Sequence, residues 1–235
     1  VTGSPTPAVS YSHVSGSTFP VGTTTVTINA TNDCGNVSKT FTVTVVDNQD
    51  PVITLPTVAP SYNTDNGTCS SSQTFAASAT DNCTVATIKY YINYGTSSQA
   101  EINFPYNFPV GSTSVTVVAT DVNGRSATNA FTVNITDTEA PVLVDPADVT
   151  GTNDAGKCYK VVVLTAPVAS DNCGIAVAGV TATGIPADNK FPVGTTTVTW
   201  SVTDIHGNTT TQSQDVTITD TEAPVLVDPA DVTGT

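Results

Sequence analysis

The chain has no methionine, one tryptophan and only six lysine and arginine side chains among 235 residues. Each shortage excludes something. Six cations against twenty carboxylates leave a formal charge of −14, so a phosphate backbone is repelled and nucleic acid is not an expected partner. No run of eighteen apolar residues occurs, so no membrane insertion is expected. The opening VTGSPTPAVSYSH lacks a basic segment followed by an apolar one and does not read as a signal peptide. The two histidines, His13 and His206, sit in turn-like contexts that do not match between repeats. No Ser, His and Asp set recurs in a shared frame, so no nucleophile with its base can be assembled. Aromatic residues make up 6%, too thin a platform for the paired-carboxylate chemistry of sugar hydrolysis. The expectation is a protein that is not an enzyme.

What is abundant is Thr, Val, Ser and Ala, the composition of thin β-modules. ITDTEAPVLVDPADVTGT at Ile135 to Thr152 returns unchanged at Ile218 to Thr235, an offset of 83 residues. FPVG begins at Phe19, Phe108 and Phe191, and each Phe is followed sixteen residues later by Gly35, Gly124 or Gly207. Asp-x-x-x-Pro recurs at Asp47, Asp137 and Asp220, and DNC at Asp81 and Asp171. Residues 1–47 are therefore the end of a leading module, 48–137 and 138–220 two complete modules, and 221–235 the first strand of a following one.

Within the modules the side-chain period is two. Val198, Trp200 and Val202 share one face, as do Phe41, Val43 and Val45, and Val115, Val117 and Ala119. Strand-sized segments about ten residues apart, separated by Gly, Pro, Asn and Asp, predict tandem immunoglobulin-like antiparallel β-sandwich modules of about 83–90 residues. FPVG is read as the turn into the penultimate strand, and T-D-x-x-G as the hairpin into the last, its Gly supplying a positive φ. Trp200 is read as a core residue.

Four of the five cysteines form two similar pairs, Cys69 with Cys83 and Cys158 with Cys173, each framed by G-x-C and D-N-C. They read as one disulfide per module in an oxidising compartment, with free buried thiols as the alternative. Two Cys per repeat without clustered His cannot close a zinc shell.

Acidic residues recur at fixed places: Asp47, Asp50, Asp81 and Asp121 in one copy, and Asp137, Glu139, Asp171 and Asp204 in the next, with Asp220 and Glu222 opening a third. If the DNC and T-D-x-x-G loops reach the junction with the preceding module, these carboxylates converge and would suit Ca²⁺. The other reading is that they are turn and solubility residues. Asn32 stands where Asp121 and Asp204 stand, which weakens the cation reading in the leading copy. Sequons at Asn29, Asn36, Asn66, Asn82, Asn134 and Asn208 permit surface glycosylation.

DTEAPVL, NDAGKC and DNGTC, DNC, FPVGTTTVTWSVTDIHGN and the closing VTITD together resemble the hyalin repeat, or HYR domain, of extracellular adhesion proteins and large secreted bacterial proteins. The resemblance covers nearly the whole chain. It departs from the family in lacking a proline-flanked Cys after the opening element, and in reading TNDCGN in the first copy where the third reads TDIHGN. It implies a secreted, cell-surface role in adhesion or as a structural spacer, and supplies no catalytic residues. It also implies that Cys34, in a turn other such modules fill with CGN, would pair with a DNC cysteine upstream of Val1. Cys34 is thus expected to be unpaired within this stretch or bonded outside it, a free surface thiol being the alternative.

The expected partners are neighbouring modules of the same chain or fibre subunits, and surface glycans or proteins. The chain is expected to be a window of a giant secreted protein. Otherwise its partial copies complement each other, APVLVDPADVTGT adding a strand to a neighbour's open sheet. The competing function is a glycan- or ligand-binding accessory module of a secreted enzyme, for which Tyr90, Tyr91, Tyr94 and Tyr106 are the candidate contacts.

Overall fold

A computed structural model describes residues 5–229. The fold is all-β and immunoglobulin-like, and the one helical element among the described residues is a short 3-10 turn, Ala187–Asn189. Among the described residues no helix is long and apolar enough to cross a membrane. The chain forms two compact units. One comprises residues 1–57, 76–102 and 115–131, the other 58–75, 103–114 and 132–235.

In the first unit, strands Ala8–Tyr11, Gly22–Asn32 and Gly35–Val45 form an antiparallel sheet in that order. Val26 is buried on it, but Phe41, expected on the buried face, is 48% exposed. Among the described residues of this copy only these three strands form, so no second layer of its own covers the ring. Further along, Val85–Ile92 pairs antiparallel with Val115 to Asp121 and with Ala100–Ile102, and Val52–Thr54 pairs with Ser78–Thr80. Val115, Val117 and Ala119 are fully buried, as their alternation predicts.

The second unit holds the third repeat complete. Its larger sheet runs Val149–Thr152, Thr209–Thr219, Gly194–Thr203, Thr181–Thr183, the first pair parallel and the others antiparallel. Two short ladders, Val142–Leu143 with Ala169–Ser170 and Tyr159–Val161 with Lys190–Pro192, accompany it. Leu143, Phe191, Val198, Trp200, Val202, Val216 and Ile218 close the core. Trp200 brings a polar N–H into that core, and its Nε1 donates to Gln214 Oε1 at 3.0 Å. Gln214 in turn donates through Nε2 to the Ala147 carbonyl at 2.6 Å. Neither buried polar group is left without a partner, as a core polar pair requires.

The last hairpin is built as its residues dictate. Gly207 adopts φ +98°, and Asp204 Oδ1 accepts the N–H groups of His206 and Asn208 at 2.8 and 2.9 Å. A short acidic side chain bonding its own loop two and four residues on is what makes Asp a turn residue. The same construction recurs at Asp121, whose Oδ1 accepts Asn123 and Arg125, and at Asn32, whose Oδ1 accepts Cys34.

Candidate functional site

Two clusters of side chains occupy equivalent places where one repeat meets the next. In the second unit, Asp137 ends one repeat and Asp171 and Asp204 belong to the loops of the following one. One carboxylate oxygen from each lies within 4.8 Å of the others. Asp137 and Asp204 are buried, and Asp171 is half-buried. Asp137 Oδ1 accepts the Glu139 N–H at 3.1 Å and the Thr64 hydroxyl at 3.3 Å. Its Oδ2 lies 3.1 Å from His206 Nδ1. Asp171 Oδ1 accepts the Cys173 and Gly174 N–H groups at 2.8 and 2.9 Å. Asp171 Oδ2 and the neighbouring Asn172 Oδ1 are buried with no hydrogen-bond donor. A depression of about 280 Å³, lined in part by Gly67, Glu139, Asp171 and Asn172, opens beside them.

The first unit repeats the pattern with Asp47, Asp81 and Cys83 within the same 4.8 Å, and Asn123 Nδ2 donates to Asp47 Oδ2 at 3.0 Å. Asn123 and His206 both lie two residues after the turn aspartate, and each reaches the linker carboxylate. Asp121 is buried and its Oδ2 has no donor. The Cys83 thiol beside Asp47, with the Gln49 N–H and the Asn123 side chain, holds that carboxyl well below the usual range, against the effect of burial. Asp47, together with burial, pushes the Cys83 thiol up. At Asp204, burial alone would raise the pKa. The Asn208 side chain and the N–H groups of Asn208, His206 and Gly207 outweigh it and pull the value down.

The remaining predicted acids lie elsewhere. Asp50 pairs with Arg125 Nη2 at 2.8 Å on the surface. Glu139 Oε2 accepts the Gly67 N–H at 2.9 Å, and Glu222 accepts the Gly156 N–H at 2.8 and 3.0 Å, so both brace the G-x-C loop. Asp220 Oδ1 accepts the Glu222 N–H at 3.0 Å. The role of these glutamates escapes sequence reasoning because it joins residues about 70 apart. His206 escapes it because the matching position holds Asn123 and Cys34 in the other copies, so no repeat signal marks it.

The disulfide pairing is corrected. Cys69 bonds Cys173, with Cα atoms 4.7 Å apart and a sequence separation of 104. Cys83 and Cys158, expected to be bonded to Cys69 and Cys173, are free, and so is Cys34, which is exposed. The G-x-C loop of one repeat lies against the DNC loop of the next, where Asn172 Nδ2 donates to the Thr68 carbonyl at 2.8 Å. The two cysteines expected to share a module therefore face different neighbours.

The four tyrosines named as candidate contacts have these neighbours. Tyr90 hydroxyl accepts the Ala77 N–H at 2.8 Å, and Tyr106 packs edge-on against Phe108 at 4.8 Å. Tyr91 and Tyr94 form a tilted pair at 5.5 Å.

Residues 136–218 match the family model described as HYR domain, across the strands, the DNC loop and the last hairpin described above. This repeat is similar to the HYR domain. Around it, the chain is 36% identical over 230 residues to hyalin of Lytechinus variegatus, covering 92% of this chain and 41% of hyalin. It is 30% identical over 160 residues to the serine-rich adhesin for platelets of Staphylococcus aureus (strain MRSA252), covering 63% of this chain and 10% of that protein. The chain thus spans less than half the length of either relative. Among solved structures, immunoglobulin domains 1–5 of Sidekick-1 align over 92% of this chain and 53% of theirs, at 12% identity and a TM-score of 0.37.

Proposed function

We propose that this chain is a non-enzymatic stretch of an extracellular stalk or fibre, in which HYR-type repeats are joined end to end at stiffened junctions and the assembly mediates adhesion. The observation that carries the reading is the Cys69–Cys173 bond, which ties one repeat covalently to the next. A stalk uses such a tie, because each repeat contacts mainly its neighbours and its reach depends on holding them in line. The relatives' names, hyalin and adhesin, support an extracellular, surface-associated setting and partners that are other modules or surface molecules.

We assign Ca²⁺ to the same junctions. Asp137, Asp171 and Asp204 offer a carboxylate oxygen each, and Asn172 Oδ1 adds an unpaired oxygen. A buried acceptor without a donor is costly, and a hard cation that takes six to eight oxygens relieves it, with carbonyls or water completing the shell. Asp47, Asp81 and Asp121 would serve in the first unit.

The test is solution scattering and thermal unfolding of the chain with calcium and with a chelator. If the junctions bind calcium with the ~0.1 mM affinity of extracellular sites, ~10 mM calcium adds about 2.7 kcal/mol of stability. The expected result is a higher midpoint and a longer maximum dimension with calcium. No change in either would remove calcium from the account and leave the acids as turn residues.

A further inference from the structure

The backbone frame of the loop that carries Cys158 copies that of the loop that carries Cys69. Asp65 N–H donates to the Ser70 carbonyl at 2.8 Å, and Asp154 N–H to the Tyr159 carbonyl at 2.8 Å. Thr68 N–H donates to the Asp65 carbonyl at 3.0 Å, and Lys157 N–H to the Asp154 carbonyl at 2.9 Å. Asp65 Oδ2 accepts the Ser72 N–H at 2.9 Å, and Asp154 Oδ2 the Val161 N–H at 3.0 Å. Glu139 and Glu222 brace the two loops from the linker in the same way. The two cysteines differ in state: Cys69 is bonded to the next repeat, whereas Cys158 is an exposed free thiol.

We infer that Cys158 is the donor half of a second inter-repeat disulfide, and that its partner is the DNC cysteine of whatever HYR-type repeat follows it. The inference rests on the bond already present at the equivalent residue, and is independent of calcium. The Lys157 carbonyl corresponds to that of Thr68, and would accept the amide of the incoming DNC asparagine as Thr68 accepts Asn172. It already accepts Asn153 Nδ2 at 2.9 Å, and a carbonyl has two lone pairs. Oxidation proceeds by exchange with an external small-molecule disulfide. The Cys158 thiolate attacks it and releases one thiolate. The DNC thiolate then attacks the mixed disulfide at the Cys158 sulfur and releases the second. The two protein thiols are oxidised, and the reagent leaves as two thiols.

The chain supplies its own test, because residues 218–235 are identical to residues 135–152. Appending after Thr235 a copy of residues 153–220 that carries Cys158→Ser and, as a mass tag at an exposed site of the Cys173 peptide, Val177→Ile places a distinguishable HYR-type repeat behind Cys158. The extended protein is refolded in a glutathione redox buffer, alkylated without reduction and mapped by mass spectrometry of its peptides. The expected result is a cross-linked peptide joining Cys158 to the appended copy of Cys173, with alkylation of Cys158 lost. In a Cys158→Ser version of the same protein, the appended cysteine becomes alkylated while Cys69–Cys173 persists. The inference is overturned if Cys158 stays alkylated beside an intact Cys69–Cys173 bond, or is found joined to Cys34 or Cys83. Loss of both bridges would overturn it as well, because the Cys69–Cys173 bond from which it argues would then be gone.

Discussion

Replacing Cys69 by Ser should destabilise a repeat to which Cys69 does not belong. The third repeat contains the one tryptophan of the chain, Trp200, which is 4% exposed in its core. Its fluorescence therefore reports unfolding of that repeat alone. If the third repeat unfolds while the second stays folded, the chain remains tethered near Asp137, which Thr64 of the second repeat holds. The disulfide then closes a loop of roughly 36 residues, from Asp137 to Cys173, and the chain-entropy relation gives about 3.8 kcal/mol for that constraint. Global unfolding of both repeats would close 104 residues, worth about 4.7 kcal/mol by the same relation. For a module of this size each kcal/mol moves the midpoint by about 4–8 °C, so even half of the smaller figure lowers the Trp200 transition by roughly 8–15 °C.

The assay is thermal unfolding followed at Trp200 in the oxidised protein, in Cys69→Ser, in Cys173→Ser and in the double variant. Cys69→Ser and Cys173→Ser should lower the transition equally, and the double variant should fall no further, because the two residues make one interaction. Pairing within modules predicts something different: Cys173→Ser would lower the transition, and Cys69→Ser would leave it unmoved. That second outcome would refute the cross-repeat bond and the stalk reading built on it.

Three further expectations concern single residues. Gly184 has φ +87°, and an added Cβ would lie 2.6 Å from the Thr197 carbonyl oxygen, so Gly184→Ala should cost at least about 1–3 kcal/mol in chemical unfolding followed at Trp200. Asp204 has a depressed pKa in the folded state, so its contribution to stability is complete above its unfolded value of about 3.9 and is lost as pH falls through the lower folded value. An acid titration of the Trp200 midpoint should therefore drop below about pH 4 and be shallower in Asp204→Asn. The Cys83 thiol is pushed up by Asp47, so iodoacetamide at mildly alkaline pH should alkylate it more slowly than Cys34 and Cys158, and Asp47→Asn should narrow the gap. Equal rates at the three thiols would show that Asp47 does not hold that proton.

Much of the fold was legible because its signals are local. The alternation of Val198, Trp200 and Val202 requires only that neighbouring side chains point to opposite faces, and all three are buried. Gly124 and Gly207 close their hairpins at positive φ, as the T-D-x-x-G spacing predicts. Phe41 failed the same test because alternation says which face a side chain takes, and cannot say whether a second layer covers that face. The two junction clusters were legible as sets of residue types at fixed offsets, except that Cys83 takes a place in the first-unit cluster where Asp121 was expected. The division of labour within them was not, since Glu139 and Glu222 look like ligands in sequence and act as braces on the Gly67 and Gly156 loops.

The disulfide was misread for a reason that belongs to tandem repeats. In a periodic chain, G-x-C recurs at Cys69 and Cys158 and DNC at Cys83 and Cys173, so pairing within a repeat and pairing to the next repeat satisfy the same pattern. Only the folded junction separates them, by bringing Cys173 to Cys69. The twice-spelled segment sits at that junction. Its glutamate braces the G-x-C loop of the repeat that precedes it, at Gly67 for Glu139 and at Gly156 for Glu222. In its first copy, Asp137 also faces His206 and Asn208 of the repeat that follows. A segment read by both neighbours has fewer acceptable spellings than a strand that packs within one repeat. Constraint from two sides is not sufficient for identity, however, because the corresponding segment from Asp47 to Pro60 is spelled DNQDPVITLPTVAP.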